Sequence, residues 1–355
     1  MTIQIRAALA AVPLALAVSA VHAEGTPGLS NPGTGETPRG VSTATLPPNV
    51  SMMATPVIED PAILEEIGRE ILTEDAVRAR FGTVSRSADG TVTERPASDE
   101  LMRLIMGETA EDPALQNNVE DDEEEARFVG PEDTRRQVMN ASNFPVTAVG
   151  LVYAIYGDDG FACSGALIGP ATVLTAAHCV YSHEMGWPDD VLYAPAMLGE
   201  QTIPYGVWEW DKLTIVPAYI TEYRGVYGEV VPYDLAVVNL ADPIGNELGW
   251  LGVQATEGMK GFVATLLSYP SDKPFGTLWE SACDVTFDAA ELLAFVHYCD
   301  TFAGSSGGNM YSYFPADNER LVMGVNVAEV TGPDGFNIAV RMNEPYLQWI
   351  IDLWR

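Results

Sequence analysis

Cys299-Asp300-Thr301-Phe302-Ala303-Gly304-Ser305-Ser306-Gly307-Gly308 is the stretch on which the reading of this chain turns. Alone, a serine among glycines marks a loop or linker as readily as a reactive residue. Two upstream stretches change its meaning. Thr175-Ala176-Ala177-His178-Cys179 sets a histidine beside a cysteine, and Tyr233-Asp234-Leu235-Ala236-Val237-Val238 sets an aspartate at the head of an apolar run. An alcohol is a poor nucleophile at neutral pH, so Ser306 needs a base. His178 is the candidate to take its proton, and Asp234 to hold the imidazole tautomer and stabilise the imidazolium. The backbone N–H groups of Gly304 and Ser306 would form the oxyanion hole, worth roughly 3–4 kcal/mol per donor in comparable sites. Of the other histidines beyond residue 23, His183 and His297, neither has a Thr-Ala-Ala-His-Cys context, and neither Asp211 nor Asp242 leads a Leu-Ala-Val-Val strand.

The address agrees with an exported hydrolase. Arg6 precedes an apolar run, Ala7 to Ala20, that ends in Val21-His22-Ala23, which reads as a signal peptide over 1–23. The run is shorter than the ~20 residues of a membrane span, and the expected location is secreted or periplasmic. The four cysteines form two pairs 16 apart, Cys163 with Cys179 and Cys283 with Cys299. Three pairings are open in principle, and the two local ones are preferred, each closing a loop worth roughly 3 kcal/mol in the chain-entropy account. No C-x-x-C pair exists and histidines are scarce, so neither a metal nor another cofactor is expected. Acidic pairs such as Asp158-Asp159 and Asp189-Asp190 read as solvated turns. A net charge of -32 argues against nucleic acid and against anionic membranes as partners. Residues 128–355 alone carry 28 acidic and 9 basic side chains, hence -19.

Along the chain, residues 24–58 are rich in Pro, Gly, Thr and Ser and read as loosely tethered. Ile63, Leu64, Ile67, Ile71 and Leu72 recur at helical spacing between Glu59 and Arg80, and a second short helix is expected from Ser98 to Met106 with Ser98 as its cap. The block Glu120-Asp121-Asp122-Glu123-Glu124-Glu125 repels itself into an exposed linker. A small helical module before such a linker reads as a propeptide over 24–127, the alternative being an interaction domain that the mature protein keeps. Beyond Arg127 the texture becomes β, with short Val-, Ile-, Tyr- and Thr-rich runs between Gly, Pro and Asp turns, and Glu344 to Trp354 carries one apolar helical face. Many strands and a terminal helix predict antiparallel β-barrels.

These motifs together resemble the trypsin-like serine peptidases, nearest their bacterial glutamyl endopeptidase branch. The resemblance covers roughly 128–355. It rests on Cys163-Ser164-Gly165 leading to Leu174-Thr175-Ala176-Ala177-His178-Cys179, on Asp234-Leu235-Ala236, on Gly304-Ser305-Ser306-Gly307, and on Tyr269-Pro270-Ser271-Asp272-Lys273-Pro274 with Leu278-Trp279-Glu280-Ser281. It implies two antiparallel six-stranded barrels, about 137–245 and 250–342, with the site between them and a helix over 344–354. It also implies a Cys163–Cys179 bridge beside His178, protein or peptide substrates, and a zymogen whose propeptide is its own partner until a cut near Arg127.

Three departures stand out. Ser305 precedes the nucleophile where digestive trypsins have Asp. Gly308 and Asn309 follow where Pro is common. Asn326 stands where glutamate-specific relatives carry a pocket histidine. With Asp300 and Thr301 it forms the candidate primary pocket, for which a basic or mixed preference is expected in place of strict glutamate specificity. The competing class is a catalytically inactive homologue that uses the same barrels as a binding module.

Overall fold

The computed structural model describes residues 28–38, 50–59, 63, 73–106, 133–287, 293–332 and 335–355. Six strands build the first barrel: β1 Val149–Tyr156, β2 Asp159–Gly169, β3 Thr172–Thr175, β4 Asp190–Pro195, β5 Trp208–Ile215 and β6 Ala236–Leu240. They pair antiparallel in the order β1-β2-β3-β6-β5-β4, and β4 returns to β1, so the sheet closes. Closure gives each of the six strands a neighbour on both sides, although stretches of β2 and β5 remain open to further pairing. It also explains why β1 to β3 read as continuous apolar runs, since their Leu151, Val152, Ala166, Leu167, Val173 and Leu174 are all buried.

The second unit repeats that order with one gap. Its strands are β7 Gly261–Ser268, β8 Trp279–Thr286, β9 Ala294–His297, β10 Asn309–Phe314, β11 Glu319–Val330 and β12 Phe336–Arg341. The sheet runs β9-β12-β11-β10-β7-β8, all antiparallel. Among the described residues β8 and β9 do not pair, so this barrel is open along one seam. The Cys283–Cys299 bridge spans that seam, from within β8 to two residues past β9, and the Cys163–Cys179 bridge ties β2 to the residue after His178. Both local pairings are therefore present. The interior between holds Leu266, Phe295 and Met310.

The final helix, Glu344–Ile351, starts at Asn343, whose side chain accepts the Tyr346 N–H, and buries Tyr346, Trp349 and Ile350. It is shorter than the expected 344–354, because residues 352–354 unwind. There Trp354 instead donates its indole N–H to Ile168 O of β2 (2.8 Å).

The N-terminal part differs most from expectation. Residues 28–38 and 50–58, expected to be loose, are docked: Asn31 bridges Trp250, and Trp250 Nε1 donates to Leu29 O (3.0 Å). The expected helix over 59–80 is described only at Ile63 and as Glu74–Arg80; Leu64, Ile67, Ile71 and Leu72 lie outside the described residues. The Ser98 cap is found, accepting the Leu101 N–H before a helix over Asp99–Ile105. Between the two helices lies an unexpected hairpin, Thr83–Ser87 and Val92–Arg95. Its first strand pairs with Lys212–Ile215 of β5, beyond the short β4–β5 ladder at 208–209. That extra neighbour is why β5 alternates at Trp208–Asp211 but is wholly buried at Leu213–Ile215. Val77, Phe81, Leu101, Met102 and Ile105 then join the same apolar cluster as the barrels. Trp349 Nε1 donates to Gly82 O (2.9 Å), fastening the C-terminal helix to this module.

Candidate active site

Each candidate side chain sits where a strand gives way to a tight turn. His178 lies in the one-turn helix Ala177–Cys179 that follows β3, and Asp234 ends the 3-10 helix Tyr227–Tyr233 just before β6. His178 Nδ1 is 2.6 Å from Asp234 Oδ2, and the His178 backbone N–H donates to Asp234 Oδ1 (2.8 Å). A carboxylate only accepts, so Nδ1 carries the proton and Nε2 keeps its lone pair. Asp234 is fully buried, and the hydroxyl of Tyr227 donates to its Oδ2 as well. Three donors thus compensate the buried charge.

Ser306 is held between the barrels. Gly304 (φ +89°) and Gly307 (φ +76°) flank it in the left-handed region, where a side chain would be strained. A Cβ on Gly307 would also lie 2.1 Å from Thr175 Oγ1 and 2.3 Å from Ser164 O. Ser164 clamps the turn from the first barrel: its N–H donates to Ser306 O (2.8 Å) and its hydroxyl to Gly304 O (2.8 Å). Asn309 Nδ2 reaches Leu174 O (2.9 Å), and Ser271 N–H reaches Ala303 O (2.7 Å). His178 Nε2 and Ser306 Oγ are both buried, and neither has a hydrogen-bond partner among the described residues. Where digestive trypsins have Asp, the Ser305 hydroxyl accepts from Ser268 Oγ (3.0 Å) and Phe302 N–H (3.3 Å).

The candidate pocket residues are all engaged. Asp300 accepts the Thr134 N–H (2.9 Å) and the Thr134 hydroxyl. Thr301 Oγ1 donates to Asn337 Oδ1 (2.9 Å), and Asn337 Nδ2 to Cys299 O (2.9 Å). Asn326 donates through Nδ2 to Ser305 O (3.2 Å) and accepts through Oδ1 from His297 Nε2 (3.0 Å). His297 is fully buried with its Nδ1 unpartnered among the described residues, and burial pushes it down to about 4. His183 stacks on Tyr223 at 3.7 Å, a packing role.

Sequence reasoning passed over Tyr227, Thr134, Arg135, His297 and Asn337. Ser164, Ser271, Asp272 and Lys273 lie inside quoted motifs. Arg135 is buried in a fork between Asp133 and Asp272 (Nη1–Oδ1 2.9 Å), with Lys273 on Asp133, so the arm carrying Thr134 is fixed to the second barrel. Arg136–Gln137 continues it as an edge strand on β8.

One closed and one open β-barrel, a buried histidine–carboxylate pair and a glycine-flanked serine turn clamped by the first barrel define a double-barrel serine endopeptidase. The family model described as Trypsin matches residues 140–350, and the chain belongs to that family. Over 266 residues it is 25% identical to an extracellular metalloprotease of Bacillus subtilis, covering 72% of this chain and 81% of that one. Over 181 residues it is 28% identical to the glutamyl endopeptidase of Bacillus licheniformis, covering 50% of this chain and 53% of that one. The Staphylococcus aureus glutamyl endopeptidase is 28% identical over 228 residues, 62% of each chain. The chain thus spans between about half and four-fifths of these relatives. A solved Glu endopeptidase in complex with MPD shares the fold at TM-score 0.54 and 24% identity, covering 64% of this chain and 99% of that one.

One relative's name includes a metal, so the donor sets matter. Among the described residues the candidate groups are Cys163-His178-Cys179 and Cys283-His297-Cys299. In each the cysteines are joined as a disulfide, which removes the thiolates that a metal would need.

Proposed function

We propose that this chain is an exported serine endopeptidase, made as a latent precursor, in which Ser306 is the nucleophile. His178 Nε2 takes the Ser306 proton as Oγ attacks the peptide carbonyl, and Asp234 stabilises the imidazolium. The oxyanion gathers charge against the Gly304 and Ser306 N–H groups. His178 then protonates the leaving amine, and water, deprotonated by the same imidazole, releases the acyl group from Ser306. The observation that carries this reading is the 2.6 Å His178–Asp234 contact, with Nε2 and Ser306 Oγ left as buried, partnerless atoms. Export is supported by the apolar run over 7–20 and by two disulfides.

For the primary pocket we propose a basic or mixed preference. Asp300 contributes a carboxylate to the candidate pocket, bonded to Thr134, and Asn326 can only hydrogen-bond where a histidine could also supply charge. Glutamyl endopeptidase relatives supply the opposing expectation. The test of the central reading is fluorophosphonate labelling and amide hydrolysis by the processed protein. Ser306→Ala should abolish labelling, and Asp234→Asn should lower kcat by several orders of magnitude. Undiminished turnover in either variant would remove the assignment.

A further inference from the structure

Ser306 is fully buried in this structure, and His178 nearly so. The segment lying against Gly304, two residues before Ser306, is not a loop of either barrel. Residues Val50–Met52 form a strand parallel to β2, in register with Gly160–Ala162, and Met53 N–H continues the ladder to Ala162 O (2.8 Å). Met53 O then accepts the Gly304 N–H (2.9 Å), the donor assigned above to the oxyanion. Met52 packs so tightly on Gly304 that a Cβ there would lie 2.4 Å from its Cε. Further on, Glu329 N–H donates to Pro56 O (3.0 Å) and Ile58 N–H to Glu329 O (2.8 Å), with Val57 bridging Glu329 in parallel and Ile58 buried. Residues 50–58 therefore cross the cleft from β2 of the first barrel to β11 of the second.

The polarity of that crossing is the informative part. In the reaction proposed above, the leaving amine must reach His178 Nε2. His178 belongs to the first barrel, and Cys179 beside it is bonded to Cys163, one residue past Ala162 on β2. The leaving-group half of a substrate thus lies toward β2, and the acyl half toward β11. A productive chain runs N to C from β11 to β2. Residues 50–58 run N to C from β2 to β11. With Met53 O on the Gly304 N–H, the nitrogen that would have to leave is that of Ala54, and it points along the chain toward β11, away from the proton that His178 would deliver. Attack by Ser306 at Met53 would form an intermediate with no protonated leaving group, and it would collapse back.

We propose that residues 50–58 are a built-in inhibitory strand that fills the substrate cleft in reverse polarity, masking the oxyanion donor without being cut. This rests on the assignment of Ser306 as nucleophile. Because the contacts are non-covalent and the adjoining helices and hairpin are packed into the barrels, a cut near Arg127 alone leaves the strand in place. Activity requires its departure as a second step.

The test uses the full chain carrying Met53→Pro, which deletes the N–H given to Ala162, together with Ile58→Asp. Circular dichroism and melting confirm that each protein is folded, and a single Met53→Pro variant serves if the pair is not. Fluorophosphonate labelling of Ser306 should accelerate on the order of ten-fold over the wild-type full chain, because the lost Met53 N–H bond is worth roughly two- to thirteen-fold and a carboxylate in place of buried Ile58 adds to it. Adding the synthetic peptide of residues 50–58 should restore slow labelling, and mass spectrometry should find the peptide intact. Equal labelling of folded wild type and variants would overturn the proposal, as would cleavage of the peptide between Met53 and Ala54. Absence of labelling in every form, including protein stripped of residues 24–127, would instead overturn the reading of Ser306.

Discussion

Burial of His297 gives a stability change with pH whose size follows from the structure. Its imidazole is fully enclosed, with Nε2 donating to Asn326 Oδ1 and Nδ1 facing no partner, and its folded value is about 4 against an ordinary 6.5. The unfolded chain therefore takes up this proton as pH falls through about 6.5, while the folded chain stays neutral until about 4. Stability conferred at neutral pH is lost on acidification across that window. A gap of about 2.5 units corresponds to about 3 kcal/mol at 1.36 kcal/mol per unit. His297→Phe removes the proton site but leaves the Asn326 acceptor unpaired, a cost of roughly 1–3 kcal/mol that does not vary with pH. The assay is urea unfolding, with both disulfides intact, of His297→Phe and its parent at about pH 7 and pH 4, in a Ser306→Ala background that prevents self-digestion. The parent should lose about 3 kcal/mol more than the variant between the two pH values. Carboxylates elsewhere titrate in both proteins and cancel in the comparison. Parallel losses would refute the argument, because they would mean that the buried imidazole is protonated as easily folded as unfolded.

Tyr227→Phe should lower kcat by about ten-fold with little change in KM, because it removes one of three donors to the Asp234 carboxylate; steady-state kinetics check it, and an unchanged kcat would mean that the other two donors suffice. Thr134→Val strips a hydroxyl donor from Asp300, so the ratio of rates on matched Arg and Glu substrates should rise, and a fall would place the Asp300 carboxylate outside the pocket. Phe81→Ala should destabilise the full chain by about 3 kcal/mol, since the ring is buried against Tyr233 and Tyr346. Thermal melts of the full-length variant and its parent check it, and an unchanged midpoint would mean that this ring adds nothing to the stability of the fold.

What the amino-acid sequence made legible follows a physical division. The proposed catalytic residues His178, Asp234 and Ser306 and the glycines at 304 and 307 are legible because the proposed chemistry tolerates few residue types, and because a left-handed backbone excludes a side chain. The long barrel strands are legible in their apolar runs, whereas Asp190–Pro195 and Ala294–His297 offer only short runs ending in Pro or a buried His. Tyr227 and Thr134 had no signature at all: one reaches its carboxylate across 7 residues of a 3-10 turn, the other across 166 residues of chain. The inhibitory strand was the most deceptive. Met52-Met53-Ala54-Thr55-Pro56 has the composition of a linker, yet apart from the Met52 side chain on Gly304 the hydrogen bonds that seat it on Ala162, Gly304 and Glu329 join backbone N–H and C=O groups. Every residue but proline supplies both of those groups, so composition carries no trace of them. A segment that binds through its main chain is free to vary its side chains and even to reverse its direction. That freedom lets the same cleft accept a substrate in one polarity and a resident strand in the other.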